Sequence, residues 1–343
     1  MSEHAGSELG WIAAQGSPRQ VGRTLGEAGR AAVQEVLLRS EYWQAVTDPA
    51  LAGPVQRMAA NVKTLFPQAW EELIGLAEGL QLPLEQVFAW NCRGDLMSNV
   101  PDGCTTVQIP GMRPSIAHNE DGLSGFHGHA FIADITPETG PTLMSFCYPG
   151  SIPGHTFALN GAGLVQAVNN LRLRDVSADI PRMVLGRMVL SCATIDSALE
   201  LLGRNNNCGG FHMTLAQTGD ARLVSVEFGG GVCANLVLTQ PALHANHALH
   251  MQTGAAGQLI TASSGDRQMR GTQLITDGIT DPLAILRDSS GPGLPIHRTS
   301  PDDPDLENTL ATAVFHVGNT AVDWRIYDQS SEKPVFAGRY FRS

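Results

Sequence analysis

A thiol set directly after a glycine, in Asp102-Gly103-Cys104-Thr105-Thr106, is the part of this 343-residue chain whose residue types could do chemistry. Cysteine is the most nucleophilic side chain near neutral pH, and a glycine before it, having no Cβ, leaves its carbonyl open to attack. Attack of Cys104 on the Gly103 carbonyl converts the peptide bond to a thioester, and water then releases a chain that begins at Cys104. The new α-amino group has a reference pKa of roughly 7.7–8.0, close to where a general base works best. Nucleophile and base then share one residue. The competing reading is a Gly-Cys turn ahead of a strand over 105–109, with the cysteine buried as a small hydrophobe.

A cysteine nucleophile also needs an oxyanion hole, an orienting carboxylate and polar groups to hold a substrate. Four polar groups stand beside expected strands or helices: Ala117-His118-Asn119-Glu120-Asp121-Gly122, ending at a turn glycine; Asn169-Asn170, closing a strand over 164–168; His244-Ala245-Asn246-His247; and Ser263-Ser264-Gly265-Asp266-Arg267, opening a helix. Each taken alone has a plain explanation, because Asn, Asp and Ser are ordinary turn and cap residues, and Asp266 reads as an N-cap.

The elements that must position these residues divide at Cys104. Before it the chain reads as helices: Arg19 to Val46, where Gly22, Gly26 and Gly29 fit a close helix contact; a run after Gly53-Pro54; Gln68 to Leu80; and a fourth opened by Pro83 at its first turn. Met97 to Gly103 is a polar loop. After Cys104, strands are expected at 105–109, 130–135, 142–147, 156–159, 164–168, 211–217, 222–228, 232–238, 312–317 and 321–328, the last two joined at Gly318-Asn319. Helices are expected over 181–203, split near Ser191–Thr194, over 266–276, and after Asp281-Pro282. The Pro-, Gly-, Ser- and Asp-rich stretch 288–308 reads as a long exposed loop. Such runs of helices and of strands, with no βαβ repeat, indicate α+β layers.

Composition narrows the function. Twenty-two Lys and Arg stand against 33 Asp and Glu, a formal charge of −11 with no basic run, so a nucleic-acid or anionic-membrane surface is not expected. Six cysteines, none in a CxxC pair, and a start lacking a basic and then apolar segment point to a reducing, cytoplasmic setting. No apolar stretch approaches the roughly 20 residues that cross a bilayer. His118, His127, His129, His244, His247 and His250 follow no common zinc spacing, and Gly229-Gly230-Gly231 lacks the helix and lysine of a phosphate loop. Neither a metal nor a cofactor is expected.

The order Gly-Cys-Thr, Asn-x-Asp, a strand ending in Asn, Asn-His and Ser-Ser-x-x-Arg resembles the autoproteolytic N-terminal-nucleophile hydrolases of the isopenicillin-N acyltransferase type, related to the choloylglycine hydrolases. Phe66-Pro67 to Glu72-Leu73, Ala77-Glu78-Gly79 and Asn91-Cys92-Arg93 resemble that family's precursor helices. The resemblance implies a single four-layer αββα domain over 1–343, with 1–103 as a mostly helical pro-segment and 104–343 carrying the nucleophile after cleavage between Gly103 and Cys104. It implies that Asp121 holds the nucleophile's α-amino group, that Asn246 joins the oxyanion hole with Asn169 as second contributor, and that Arg267 tunes the thiol. His118 stands where the bile-salt branch has an arginine; with Asn119, Glu120, Asn170 and His247 it is expected near the substrate. The activity implied is hydrolysis of a small-molecule amide (an acyl-amino acid, a β-alanyl amine, a lactam or a small peptide) through a Cys104 thioester. The alternatives are acyl transfer to an amine, from an acyl-CoA or an amide donor, and a non-catalytic binding protein on the same scaffold. The expected partners are the substrate and the chain's own two products, as a heterodimer or a higher oligomer.

Overall fold

The computed structural model describes residues 8–99, 103–253, 257–329 and 331–341. Asp102 and the last residues of the loop before Gly103 lie outside them. A short strand, β1 (Gly10–Gly16), precedes helices α1 (Pro18–Ala32), α2 (Glu41–Val46), α3 (Ala52–Leu65), α4 (Pro67–Leu80), α5 (Leu84–Asn91) and α6 (Arg93–Leu96). Strands then take over with β2 (Gly103–Ile109), β3 (Ser115–Leu123), β4 (Phe131–Pro137), β5 (Leu143–Cys147), β6 (Phe157–Asn160) and β7 (Leu164–Leu171). After α7 (Arg182–Val189) and α8 (Ile195–Arg204) come β8 (Gly210–Gln217), β9 (Leu223–Gly229), β10 (Val232–Val237) and β11 (Ala242–His244). The chain ends with α9 (Ala262–Thr276), α10 (Pro282–Leu286), β12 (Glu307–Val317), β13 (Ala321–Asp328) and β14 (Phe336–Phe341).

The strands form an eight-stranded sheet, β1-β4-β5-β6-β7-β8-β9-β10, and a six-stranded sheet, β11-β2-β3-β12-β13-β14. Among the described residues, only β1 with β4 is parallel. The sheets face each other where β2 and β3 meet β7; α1 and α8 cover the outer face of the larger sheet, α9 and α10 that of the smaller. The architecture is therefore α+β in four layers, αββα. Aromatic side chains such as Phe146, Phe157 and Phe315 fill the space between the sheets. Each such ring contributes on the order of 1.5–3 kcal/mol through burial.

Two of the three α1 glycines, Gly22 and Gly26, act as the sequence predicts, whereas Gly29 faces Pro149. A Cβ on Gly22 or Gly26 would strike the backbone of Glu72 or Leu76, and Gly75 and Gly79 of α4 return the contact against Arg19 and Arg23. Two helices meet backbone to backbone there, at a position only glycine allows.

Four expectations need correction. The single helix over 19–46 is broken: α1 gives way to a π-helical turn over Val33–Leu37, and Ser40 caps α2 by accepting from the Trp43 N–H at 3.1 Å. The helix expected to begin at Asp266 begins at Ala262, capped by Thr261, so Asp266 is inside it and accepts from the Leu294 N–H at 2.8 Å. Residues 117–122 are the middle of strand β3, all buried, rather than a turn. Their polar side chains hid the apolar alternation of a strand, and neighbours on both faces pair with His118, Asn119, Glu120 and one oxygen of Asp121. Finally, the stretch over 288–308 is not wholly exposed: Ile296, Arg298 and Asp303 are buried and Glu307 already belongs to β12.

Candidate active site

Register brings the predicted residues to Cys104. On one side of β2 the antiparallel partner β3 sets Asp121 opposite Gly103 and Glu120 opposite Cys104. On the other side β11 sets His244 opposite Thr106, so the chain continuing past β11 carries Asn246 alongside Cys104. Alternation along β2 then sends Cys104, Thr106 and Gln108 toward β7 and β8, and Thr105 and Val107 toward α9 and α10. Gly103 is a strand residue, not a turn, and Cys104 is buried.

Asn246 holds Cys104 from two directions. Its Oδ1 accepts from the Cys104 N–H at 3.0 Å and from Arg267 Nη2 at 2.6 Å. Both partners can only donate, so the amide orientation is fixed and Nδ2 must face Sγ, 3.1 Å away, and the Asn170 carbonyl at 3.2 Å. The Asn170 N–H also donates to the sulfur. Two N–H donors thus converge on the sulfur. Arg267, fully buried, further donates to the Cys104 carbonyl at 2.5 Å, to Thr105 Oγ1 at 2.8 Å and to Ser263 Oγ at 3.1 Å. Burial pushes the Cys104 thiol well above its usual range and the Glu120 charge adds to this, against the Asn170, Asn246 and Arg267 contacts.

Asp121 is the open carboxylate of the site. Its Oδ1 accepts from Thr309 Oγ1 at 2.6 Å, whereas buried Oδ2 has no hydrogen-bond partner among the described residues. Burial raises its pKa, with Arg267 and Arg298 opposing. Both polar atoms of the Asn170 side chain are likewise buried and unpartnered.

The other expected residues stand further back. Asn169 spends its amide on structure: Oδ1 accepts from Thr106 Oγ1 at 2.7 Å and meets His212 Nδ1 at 2.9 Å, and Nδ2 donates to the His244 carbonyl at 3.2 Å. His118 lies between Thr106 Oγ1 at 2.9 Å and Glu120 Oε2 at 3.0 Å, its pKa pushed down to about 3 by burial and then by the Arg267 charge. The second Glu120 oxygen accepts from the Tyr148 hydroxyl at 2.9 Å. Asn119 points the other way, donating to the Leu286 carbonyl at 2.8 Å and accepting from Thr312 Oγ1 at 2.7 Å. His247 is half-buried, its Nδ1 2.7 Å from Ser264 Oγ.

Sequence reasoning missed Arg172, Arg298, Asp303 and Glu307. Arg298 donates to Asp303 Oδ2 at 3.0 Å, Asp305 Oδ2 at 3.1 Å, Glu307 Oε2 at 2.7 Å and Ser263 Oγ at 2.9 Å, the last shared with Arg267. The Glu307 carboxylate lies against the Cα of Gly103, where a Cβ would strike it. No signal marked Arg298, Asp303 or Glu307, because they sit in a stretch whose composition is that of a loop, and Arg172 follows strand β7 with no motif around it. No group of three or more His, Cys, Asp or Glu is placed to hold a metal among the described residues.

Fold and site together define an α+β protein with a buried cysteine at the head of an inner strand, clamped by an asparagine and an arginine. Residues 110–330 match the family model described as acyl-coenzyme A:6-aminopenicillanic acid acyl-transferase, and the chain belongs to that family. The match begins just beyond Cys104 and includes Asp121, Asn246, Arg267, Arg298 and Glu307. Among relatives, a β-alanyl-dopamine/carcinine hydrolase of Drosophila melanogaster is 26% identical over 55% of each chain. The 40 kDa form of an acyl-coenzyme A:6-aminopenicillanic-acid acyltransferase from Emericella nidulans is 23% identical over 90% of each. The chain thus matches about half the length of the fly protein and most of the fungal one. Among solved structures, a mutant conjugated bile acid hydrolase from Clostridium perfringens covers 69% of this chain and 92% of its own at 11% identity, with a TM-score of 0.45.

Proposed function

We propose that the protein is a self-processing cysteine amidohydrolase. Cys104 Sγ adds to the Gly103 carbonyl, the Cys104 nitrogen leaves as an amine, and water hydrolyses the thioester to a Gly103 carboxylate and a free Cys104 thiol. In turnover the α-amine takes the thiol proton, Sγ adds to the carbonyl of a small-molecule amide, and the departing amine receives that proton before water cleaves the second thioester. Asn246 Nδ2 and the Asn170 N–H stabilise the oxyanion, Arg267 keeps Asn246 turned toward it, and Asp121 Oδ2 holds the α-amine. The observation that carries this reading is the fixed orientation of Asn246, which grips the nitrogen and the sulfur of Cys104 at once.

The two products would stay together, because β1 is paired with β4 along all seven of its residues and so belongs to the larger sheet. The six cysteines are all free, which accords with a reducing compartment such as the cytoplasm. Among the described residues, no helix is long and apolar enough to cross a membrane. The name of the fly relative favours water as the acyl acceptor, and the name of the fungal relative favours an amine. Adding an amine to the turnover mixture and looking for a new amide separates the two.

The test begins with denaturing mass spectrometry, which should find residues 1–103 and 104–343 as separate chains that co-purify under native conditions. Expressing 104–343 with a non-removable leading alanine, beside 1–103, then turns the α-amine into an amide nitrogen. Turnover should collapse with the thiol intact. A wild-type chain that stays whole, or retained turnover in the extended protein, overturns the mechanism.

A further inference from the structure

The neighbourhood of Gly103 says which acyl groups the mature site accepts, and this step rests on the nucleophile reading above. The same sulfur and the same two N–H donors serve the Gly103 carbonyl in processing and the substrate carbonyl in turnover. What adjoins Gly103 Cα in the intact chain therefore adjoins the acyl α-carbon of a bound substrate. That neighbour is the carboxylate of Glu307. Glu307 forms one wall of a cavity of about 200 Å³ lined also by Tyr42, Asn99, Arg172, Thr261 and Asp305. A cavity of this size admits a short chain of a few heavy atoms, not a long acyl tail.

Charge decides what the chain carries. Four carboxylates, those of Asp121, Asp303, Asp305 and Glu307, stand against the three guanidiniums of Arg172, Arg267 and Arg298. Arg298 is already bridged to Asp303, Asp305 and Glu307, and Arg172 lies 3.9 Å from Glu307. Within the cavity lining itself Asp305 and an ionised Glu307 stand against Arg172 alone, and a carboxylate-bearing acyl group would add a further negative charge. We propose that the substrate is a short aminoacyl amide, whose acyl ammonium is received by Glu307 with Asp305 and the Tyr42 hydroxyl. Glu307 is thus a specificity residue, separate from the oxyanion donors.

Burial raises Glu307 to about 7, with Asp121 adding to the rise and Arg298, Arg172 and Arg267 opposing it. Tyr42 and Asp305 face the same space. An ammonium beside Glu307 favours its charged form, so binding releases protons near neutral pH and tightens as pH rises through that value. The experiment uses the full-length protein after maturation and calorimetry with three probes: β-alaninamide, butyramide of the same shape without charge, and the half-amide of succinic acid. β-Alaninamide should bind roughly tenfold or more tighter than butyramide, a charge-assisted difference. Its binding should release protons, seen as a dependence of the heat on buffer ionisation enthalpy, and succinamate should bind weakest. Glu307→Gln should abolish both the preference and the proton release; Asp305→Asn, at the half-exposed rim, should weaken the preference while Arg298 keeps Asp303 and Glu307. Equal binding of β-alaninamide and butyramide, preference for succinamate, no binding of β-alaninamide, or an unchanged preference in Glu307→Gln overturns the proposal. Mass spectrometry of the same samples reports cleavage at Gly103 separately, so a mature, active enzyme without the preference sinks this inference alone.

Discussion

Strand β2 passes through two buried polar clusters, and they are built to opposite rules. Around its middle everything is paired: Thr106 and Asn169 join the sheets, His212 reaches Ser225 Oγ at 2.9 Å, and Gln108 donates to Thr214 Oγ1 at 2.7 Å. The His244 ring stacks on His212 at 3.5 Å and meets Glu227 Oε1 at 2.8 Å, while Glu227 also takes the N–H groups of Leu249 and His250 at 2.6 and 3.0 Å. Two strand positions away, at Cys104, Asp121 Oδ2 and both ends of the Asn170 amide are buried with no partner among the described residues. Leaving a buried polar atom unpaired costs about 1–3 kcal/mol, so a fold that saturates one cluster and leaves its neighbour open has kept that capacity for another molecule or for a group not yet formed. Both clusters are rich in His, Asn and Glu; only the hydrogen-bond accounting separates scaffold from site.

The sharpest way to break this distinction is Asn246→Ala. The variant should fold, because Arg267 keeps its bonds to the Cys104 carbonyl, Thr105 and Ser263. Turnover should fall by roughly 10²–10³, about 3–4 kcal/mol of transition-state stabilisation. Steady-state kinetics on any amide the wild type hydrolyses measures it, and full activity removes Asn246 from the oxyanion hole.

The two clusters were unequally legible in the sequence. Cys104, Asn246 and Arg267 were readable because each sits in a short polar group whose order along the chain carries the resemblance; strand register brings Asn246 to Cys104, and α9, packed on β11, brings Arg267. Asn169 and Asn170 were readable as a pair but not as individuals, since adjacent strand residues point to opposite faces. Which of them meets the sulfur depends on a backbone N–H that no pattern encodes. Arg298 and Glu307 were invisible. Their partners, Asp303 and Asp305, made the stretch look like a solvated loop, when they are the counter-ions that let the Arg298 guanidinium be buried. Strands β1 and β14 went unseen because edge strands carry a weak apolar alternation, as the exposure pattern of β14 shows.

Asn169→Ala asks the same question of the paired cluster. It strands His212 Nδ1 and the His244 carbonyl and leaves the Thr106 hydroxyl with His118 alone, and should lower stability by about 2 kcal/mol in denaturant titrations. Turnover per folded molecule should change little. A loss of roughly 10²–10³ in turnover at unchanged stability would instead make Asn169 the second oxyanion donor and dissolve the contrast.

The smallest effect concerns how the open cluster is held. The segment that delivers Arg298 is docked by its neighbour His297, whose Nε2 lies 2.6 Å from Arg287 Nη1. A guanidinium only donates, so that nitrogen must accept and the ring must stay neutral. Burial, then the Arg287 charge, pushes His297 down to about 4. The ordinary histidine value of roughly 6.5 applies to the unfolded chain, so below it the unfolded state binds the extra proton. Stability is therefore complete above that value and is lost as pH falls toward 4. Between pH 6.5 and 5.5 the loss from this one group is about 1 kcal/mol. His297→Gln keeps an acceptor for Arg287 without the titration, so chemical denaturation of the two proteins across that interval should give a shallower fall in the variant. Parallel curves would mean that this imidazole does not hold the segment, and that Arg298 keeps its place through Asp303, Asp305 and Glu307 alone.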